Sequence, residues 1–307
     1  MIAVRRPSHW LMRAFIPVSR QALVFGSLDG SIEAQAIDSG RRDGSSSCAP
    51  GRVDMGGQLV GSPEPGLPDK AAERGHPSYV WRAGQERRFQ MVRRWTPLRN
   101  RRVVDVGCGM GLYTDAFRRE TPHVFGVEIE YERARRAAGA AAGIAQATGE
   151  RLPFSNAVFD VVFSHEVLEH VADDRICAEE MVRVARPGGR IVIFVPNRLY
   201  GFETHGVFWR GRYRFGNIPG VNWLPKRLRD RLAPHVRAYT GRDLRRLLDG
   251  LPVRLIRHTQ VYPGYDNVAA RAPALGRLVR SITYALEGTP LRVFGLSHLL
   301  VLERVPS

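Results

Sequence analysis

From Arg102 onward the chain alternates short apolar runs with amphipathic stretches, and each change of period marks a change of element. Val103-Val104-Asp105-Val106 and Ile191-Val192-Ile193-Phe194-Val195 are apolar at successive positions, as strands covered on both faces are. The pattern predicts seven strands, at Arg102–Val106, His123–Glu128, Ile144–Thr148, Phe159–Ser164, Arg190–Val195, Val253–Val261 and His298–Glu303. Helices are predicted to begin near Leu112, Glu130, Asp173 and Thr240, each in a window between strands. Strand and helix in alternation give an α/β fold, a largely parallel sheet flanked by helices.

Two segments break the rhythm. Residues 196–239 follow the fifth strand and are rich in aromatic and Arg residues, among them Tyr200, Phe208, Trp209, Tyr213, Phe215 and Trp223. Residues 263–290 carry Leu275, Leu278, Val279, Ile282 and Leu286 at helical spacing, with Arg271, Arg277 and Arg280 between them. Open α/β sheets bind ligands beyond the carboxyl ends of their strands, so the first insertion is the candidate substrate cap. Before the domain, which we place at 71–307, residues 1–70 mix apolar pieces with Gly, Ser, Pro and Asp and hold no period. They predict a disordered leader, or a start of translation at Met55 or Met91.

Composition narrows the class without naming it. The 307 residues are 44% hydrophobic and 25% charged, ordinary for a soluble globular protein. No stretch has the 18 or so apolar residues of a membrane span, and Arg13 interrupts the run a signal peptide needs. Cys48, Cys108 and Cys177 are an odd count at unrelated spacings, which indicates neither a disulfide framework nor a zinc site and fits a cytoplasmic location. The net charge of +16 raises nucleic acid as a partner, but residues 101–200 carry −1 and residues 201–307 carry +11. The excess lies away from the motif-bearing middle. Peripheral contact with an anionic membrane, for instance through Trp223–Leu232, fits the same charge.

The strongest local signal is Val106-Gly107-Cys108-Gly109-Met110-Gly111, a strand running into a glycine turn and then a helix. Glycines there permit the tight turn and let backbone approach a ligand. The Gly-x-Gly-x-Gly spacing differs from the Gly-x-Gly-x-x-Gly of nicotinamide and flavin enzymes, and no Gly-Lys-Ser or Gly-Lys-Thr follows for a nucleoside triphosphate. Glu128, at the end of the next strand, can accept both hydroxyl protons of a ribose.

With the Glu150-Arg151-Leu152-Pro153-Phe154 run, Phe159-Asp160-Val161-Val162 and Arg186-Pro187-Gly188-Gly189 in order, the chain resembles the class I S-adenosylmethionine-dependent methyltransferases. The resemblance implies a Rossmann-like seven-stranded sheet with its last strand antiparallel. It also implies S-adenosylmethionine as cofactor and a methyl acceptor as partner. Carried over by position, Gly107, Cys108, Gly109 and Gly111 would contact the methionine and ribose, with Asp105 supporting the turn. Glu128 would hold the ribose, Ile129 would pack on the adenine, and Thr148, Gly149, Glu150 and Ser164 would complete the cofactor set. Thr148 stands where relatives often have Asp, so adenine loses a charge-assisted acceptor.

Ser164-His165-Glu166-Val167-Leu168-Glu169-His170 follows the fourth strand, where the family places the reacting methyl. His165 is the candidate general base. If the segment is helical, Glu166, Glu169 and His170 share one face. The stretch is similar to that of ubiquinone-biosynthesis O-methyltransferases, where such a group is associated with a divalent metal, here magnesium or manganese. In the cap, Tyr200, Glu203 and His205 are candidate acceptor contacts, and Arg210, Arg212 and Arg214 are expected to grip an acidic acceptor. The expected reaction is methyl transfer to a small-molecule or lipid-linked acceptor, at oxygen. A nucleic-acid methyltransferase is the alternative, though the Asn/Asp-Pro-Pro-aromatic stretch usual in base-amino enzymes is absent after the fourth strand. The other alternative is a non-catalytic module that binds cofactor or membrane.

Overall fold

The computed structural model describes residues 80–306 and the backbone of a two-residue strand at Val24–Phe25. That strand, β1, runs antiparallel to Gly143–Gln146, pairing Val24 with Ala145 and Phe25 with Ile144. The rest of the expected leader, with Cys48, lies outside the described residues.

The sheet is built from β1, β2 (Val103–Val106), β3 (Val124–Glu128), β4 (Gly143–Gln146), β5 (Phe159–His165) and β6 (Ala185–Pro196), with two later strands at Val253–Val261 and Ser297–Arg304. Between them the cap contributes β7 (Phe202–Glu203), β8 (Val207–Trp209), β9 (Arg212–Arg214) and β10 (Ile218–Pro219), so the last two sheet strands are β11 and β12. The order is β1-β4-β3-β2-β5-β6-β12-β11. β2 to β6 are mutually parallel, and β12 is antiparallel to both β6 and β11. All seven expected strands form, and the last is antiparallel as expected. β6 begins five residues early, because Ala185 pairs with Phe159 across a bulge before the regular register starts at Arg190.

The helices are α1 (Ala83–Trp95), α2 (Leu112–Arg118), α3 (Tyr131–Ala137), α4 (Asp174–Val184), α5 (Lys226–Leu232), α6 (Gly241–Leu248), α7 (Asp266–Arg271) and α8 (Pro273–Leu286). Two cores sandwich the sheet. On one face Ala178, Met181, Leu244 and Leu247 of α4 and α6 pack on Val104, Val106, Val162 and Ile191. On the other, Phe89 and Val92 of α1 and Ala116 and Phe117 of α2 pack on Val103, Val161, Phe163 and Val192. This double cover is why every residue of β2 is buried. Capping fixes where the helices start: Asp173 accepts from Arg175 N and Ile176 N at 2.9 and 3.0 Å, and Thr240 forms a capping box with Asp243. The periodicity of 102–307 does not reach α1, which spans Met91, so a chain begun there would lack Gln85 and Phe89.

The cap of residues 196–239 is two small antiparallel pairs, β7 with β10 and β8 with β9, held by α5. At its centre Arg229 is 1% exposed and Glu203 is 2% exposed. Arg229 Nη2 donates to Glu203 Oε2 at 2.7 Å and Nη1 to Val236 O at 2.6 Å. Few apolar side chains are buried in this segment, and the ion pair anchors it.

Candidate functional site

The carboxyl ends of the central parallel strands open into a cavity of about 660 Å³. Its floor is the turn after β2, in which Gly107, Gly109 and Gly111 have φ of 73°, 56° and 83°. A Cβ on Gly107 would stand 2.3 Å from Val167 Cγ2, whereas one on Gly109 would meet nothing within 4 Å. Gly109 therefore presents bare backbone to the cavity. Gly111 is not part of the lining; its missing side chain lets the start of α2 approach Ala137 and Ala140.

Glu128 is 5% exposed and ties β3 to this turn. Gly109 N donates to its Oε2 at 2.9 Å and Glu130 N to its Oε1 at 3.0 Å. A carboxylate has about four acceptor positions, so two bonds leave capacity for a ligand's hydroxyls. Asp105 accepts from Thr114 Oγ1 at 2.7 Å, which fixes the first turn of α2 over the glycines. Burial pushes the Asp105 carboxyl up to about 7 against that hydrogen bond, and the charge of Glu128 adds to the rise.

Cys108, Ile129, Thr148, Gly149 and Glu150, the other residues expected at the cofactor, also line the cavity. Ile129 is 42% exposed at the rim, an apolar surface open to a flat ring. Glu150 Oε1 accepts from Ala172 N at 2.7 Å and Asp173 N at 3.3 Å, so it holds the loop after β5 against the end of β4. Ser164 is a correction. It is fully buried within β5 and outside the lining, because strand alternation puts it on the opposite face of the sheet from its neighbour His165, which reaches the cavity.

His165 packs against Tyr113 and Phe194, with ring centroids 4.9 and 5.3 Å away, and its Nε2 has no partner. Burial lowers its pKa to about 4, so the imidazole is neutral at pH 7. The next residue, Glu166, lines the cavity with φ of 57°, a left-handed conformation costly for a side-chain-bearing residue. Desolvation would raise its carboxyl, but His165, His205, Arg88 and His170 outweigh that and hold it below the usual carboxylate range.

The segment from Glu166 to His170 is a turn, not a helix, so the expected shared face of Glu166, Glu169 and His170 does not form. Glu169 and His170 instead meet His205 of the cap, with one donor atom from each within 4.8 Å of the others. Glu169 is 1% exposed with neither carboxylate oxygen partnered, and burial raises its pKa well above the ordinary value. His170 Nδ1 is also unpartnered, and burial lowers that imidazole to about 4.

From the cap, Thr204, His205 and Phe215 reach the cavity. The other expected acceptor contacts do not. Tyr200 is half-buried beside Phe202, and Glu203 is locked to Arg229 at the centre of the cap. Arg210, Arg212 and Arg214 are exposed on the β8–β9 hairpin, outside the lining, because the tight turn at Arg210-Gly211 carries them away from the sheet. Gln85 of α1, Arg133 of α3 and Leu296 before β12 line the cavity and were not anticipated. Phe89 and Val92, three apart, are the signal that could have marked α1, but nothing in sequence marks Gln85 as facing a ligand.

Residues 104–193 match the family model described as a methyltransferase domain. An uncharacterized methyltransferase of Mycolicibacterium gilvum is 39% identical over 126 residues, 39% of this chain and 49% of the relative. The ubiquinone biosynthesis O-methyltransferase of Xylella fastidiosa is 33% identical over 118 residues, 36% of this chain and 48% of that one. The chain thus spans about half the length of these two relatives. It covers 85% of an uncharacterized methyltransferase of Mycobacterium bovis, at 32% identity over 168 residues and 50% of this chain. In fold it is similar to an S-adenosylmethionine-dependent methyltransferase of Mesorhizobium loti, with a TM-score of 0.50 and 17% identity over 70% of this chain and 97% of the other. Sheet order, glycine turn and relatives agree, and the chain belongs to the class I S-adenosylmethionine-dependent methyltransferases.

Proposed function

We propose that the protein transfers the methyl group of S-adenosylmethionine to an oxygen of a small-molecule or lipid-linked acceptor by in-line displacement. The observation that carries this reading is a single cavity with a cofactor wall and an acceptor wall. Bare backbone at Gly109, the carboxylate of Glu128 and the exposed Ile129 stand on one side, and His165, Glu166, His205 and Phe215 on the other. At about 660 Å³ the space is within the usual range for a ligand pocket. S-adenosylmethionine would supply an electrophilic methyl on a positively charged sulfonium.

The chain's own part is alignment, exclusion of water and acceptance of a proton. As the acceptor oxygen forms its bond to the methyl carbon, the carbon–sulfur bond breaks and its electrons go to sulfur. The acceptor's proton passes to neutral His165, whose ring lines the cavity. A base with a pKa of about 4 takes that proton only as the methyl moves, so a hydroxyl of already low pKa suits the site. The ubiquinone O-methyltransferase relatives support an oxygen acceptor. Calorimetric titration with S-adenosylmethionine, followed by tritiated-methyl incorporation into cell extracts, tests the proposal. Label in lipid or small organic acids upholds it. Label in nucleic acid, or cofactor binding without transfer, refutes it.

A divalent metal is the second component we propose. The orphaned carboxylate of Glu169 beside His170 and His205 fits one, with His205 in the place expected for Glu166. Two imidazoles and one carboxylate suit a first-row transition ion better than magnesium. Such an ion would supply positive charge next to the acceptor. Manganese binding measured by electron paramagnetic resonance, and its loss in His170→Ala, tests the site; equal binding by the variant refutes it.

A further inference from the structure

Helix α8 is turned inside out for a helix on the surface of a soluble domain. Its polar side faces the body: Arg280 Nε donates to Gly264 O at 2.6 Å and Nη2 to Asp266 Oδ1 at 3.0 Å. Tyr284 lies under the Arg87 guanidinium, 3.7 Å from ring centroid to Cζ. Just beyond the helix, Glu287 pairs with Arg87 at 2.5 Å and accepts from Tyr262 N at 2.7 Å. Gly276 allows the close approach to α7, since a Cβ there would stand 2.5 Å from Ala269 Cα.

The opposite side carries the leucines. Leu275, Leu278 and Ile282 are 51%, 57% and 53% exposed, and at 100° per residue they lie within about 60° of arc. The following turn adds Leu291 and Phe294, 49% and 45% exposed. A helix that only caps a soluble fold places such a stripe against the core. Arg271 and Arg292, in the segments before and after the helix, are exposed, while Arg277 is exposed on the flank about 130° of arc from the stripe. Residues 263–296 hold two acids, Asp266 and Glu287, and both are paired to arginines.

We propose that this face docks on an anionic lipid surface, with Leu275, Leu278, Ile282, Leu291 and Phe294 at the boundary of headgroups and acyl chains and Arg271 and Arg292 on lipid phosphates. The charge selects this occupant. A second copy packed symmetrically on the same face would set arginines against arginines with no free acid to pair them. Lipid phosphates supply the missing negative charge, and the apolar stripe supplies the insertion that a purely basic patch lacks. The position also suits the cavity. α7 and α8 are held to the start of α1 by Ala83 N and Gly84 N, which donate to Asp266 at 3.1 and 3.3 Å, and α1 carries the cavity residue Gln85. A membrane-borne acceptor would meet the cavity from this side; that last link alone rests on the lipid-linked acceptor proposed above.

Flotation of the full chain with phosphatidylcholine vesicles, with and without phosphatidylglycerol, tests the docking. The protein should float with the anionic vesicles, remain at the bottom with pure phosphatidylcholine, and be released by salt. Leu278→Glu with Ile282→Glu should abolish flotation. Replacing Arg271 and Arg292 by Gln should lower partitioning roughly thirtyfold. Both variants should bind S-adenosylmethionine as the parent does, which separates failure of docking from failure of the proposed activity. Flotation that survives the glutamates overturns the proposal. So does a parent that never floats, or one that forms a dimer split by the same glutamates.

Discussion

Glu203→Gln should cost the domain about 3 kcal/mol at neutral pH, and two separate observations give that number. Glu203 is 2% exposed, and although burial alone would raise its carboxyl, the hydrogen bonds and charges of His205 and Arg229 hold it at about 2 instead of 4.5. That preference for the charged form is worth about 3 kcal/mol. Independently, Arg229 is 1% exposed and its Nη2 is 2.7 Å from Glu203 Oε2, and removing one partner of a buried ion pair costs about 3 to 5 kcal/mol. Glutamine cannot substitute, because the carboxylate accepts from both Arg229 and His205 N, the latter at 3.0 Å, and an amide has one acceptor oxygen. The sign with pH follows from the lowered pKa. The stabilisation is complete above about 4.5, more than half gone by about pH 3, and lost as pH falls through about 2. Thermal melts of parent and variant should differ by about 6 to 12 °C at pH 7 and converge on acidification. A difference below about 1 kcal/mol at pH 7, or one that stays constant down to pH 3, would refute the account of the cap anchor.

Glu128→Ala should weaken S-adenosylmethionine binding by about 1.5 to 3 kcal/mol, through lost acceptors for ligand and for Gly109 N, with unchanged calorimetry in a folded variant as the contrary result. Because His165 sits at about 4, its imidazole is neutral above pH 5, so kcat/KM should show no acid limb near 6.5; a limb there that disappears in His165→Gln would contradict the burial argument. Gly107→Ala should abolish cofactor binding or folding, since its Cβ would meet Val167 Cγ2 at 2.3 Å in a left-handed backbone, and a stable variant with normal affinity would show the turn to be pliable. Arg210, Arg212 and Arg214 changed together to Gln should leave the acceptor KM within about twofold, against the grip expected from sequence, because the hairpin holds them outside the cavity; a large rise would place the acceptor on the hairpin.

Sequence alone marked seven of the sheet's eight strands and missed β1, which lies in the stretch expected to hold no structure. Continuous apolar runs such as Val103–Val106 can be covered only from both sides, and the glycine turn with Glu128 one strand later is local chemistry that any class I sheet positions in the same way. Capping made the helix starts legible too, since Asp173 and Thr240 act on backbone two or three residues away. What needed the tertiary structure was every contact between distant segments and the direction of each side chain. Glu203 and His205 are two residues apart, yet one is sealed inside the cap by Arg229 and the other reaches the cavity. Glu166 leaves its expected partners because a left-handed residue ends β5 and the chain turns where a helix was expected. His205 takes its place from 39 residues downstream, a meeting that no helical spacing encodes. The leucines of α8 showed helical spacing in sequence, but periodicity shows that a face exists and not what it faces; the pairing of Arg280 with Asp266 and of Arg87 with Glu287 sets the polar side against the body and leaves that stripe outward.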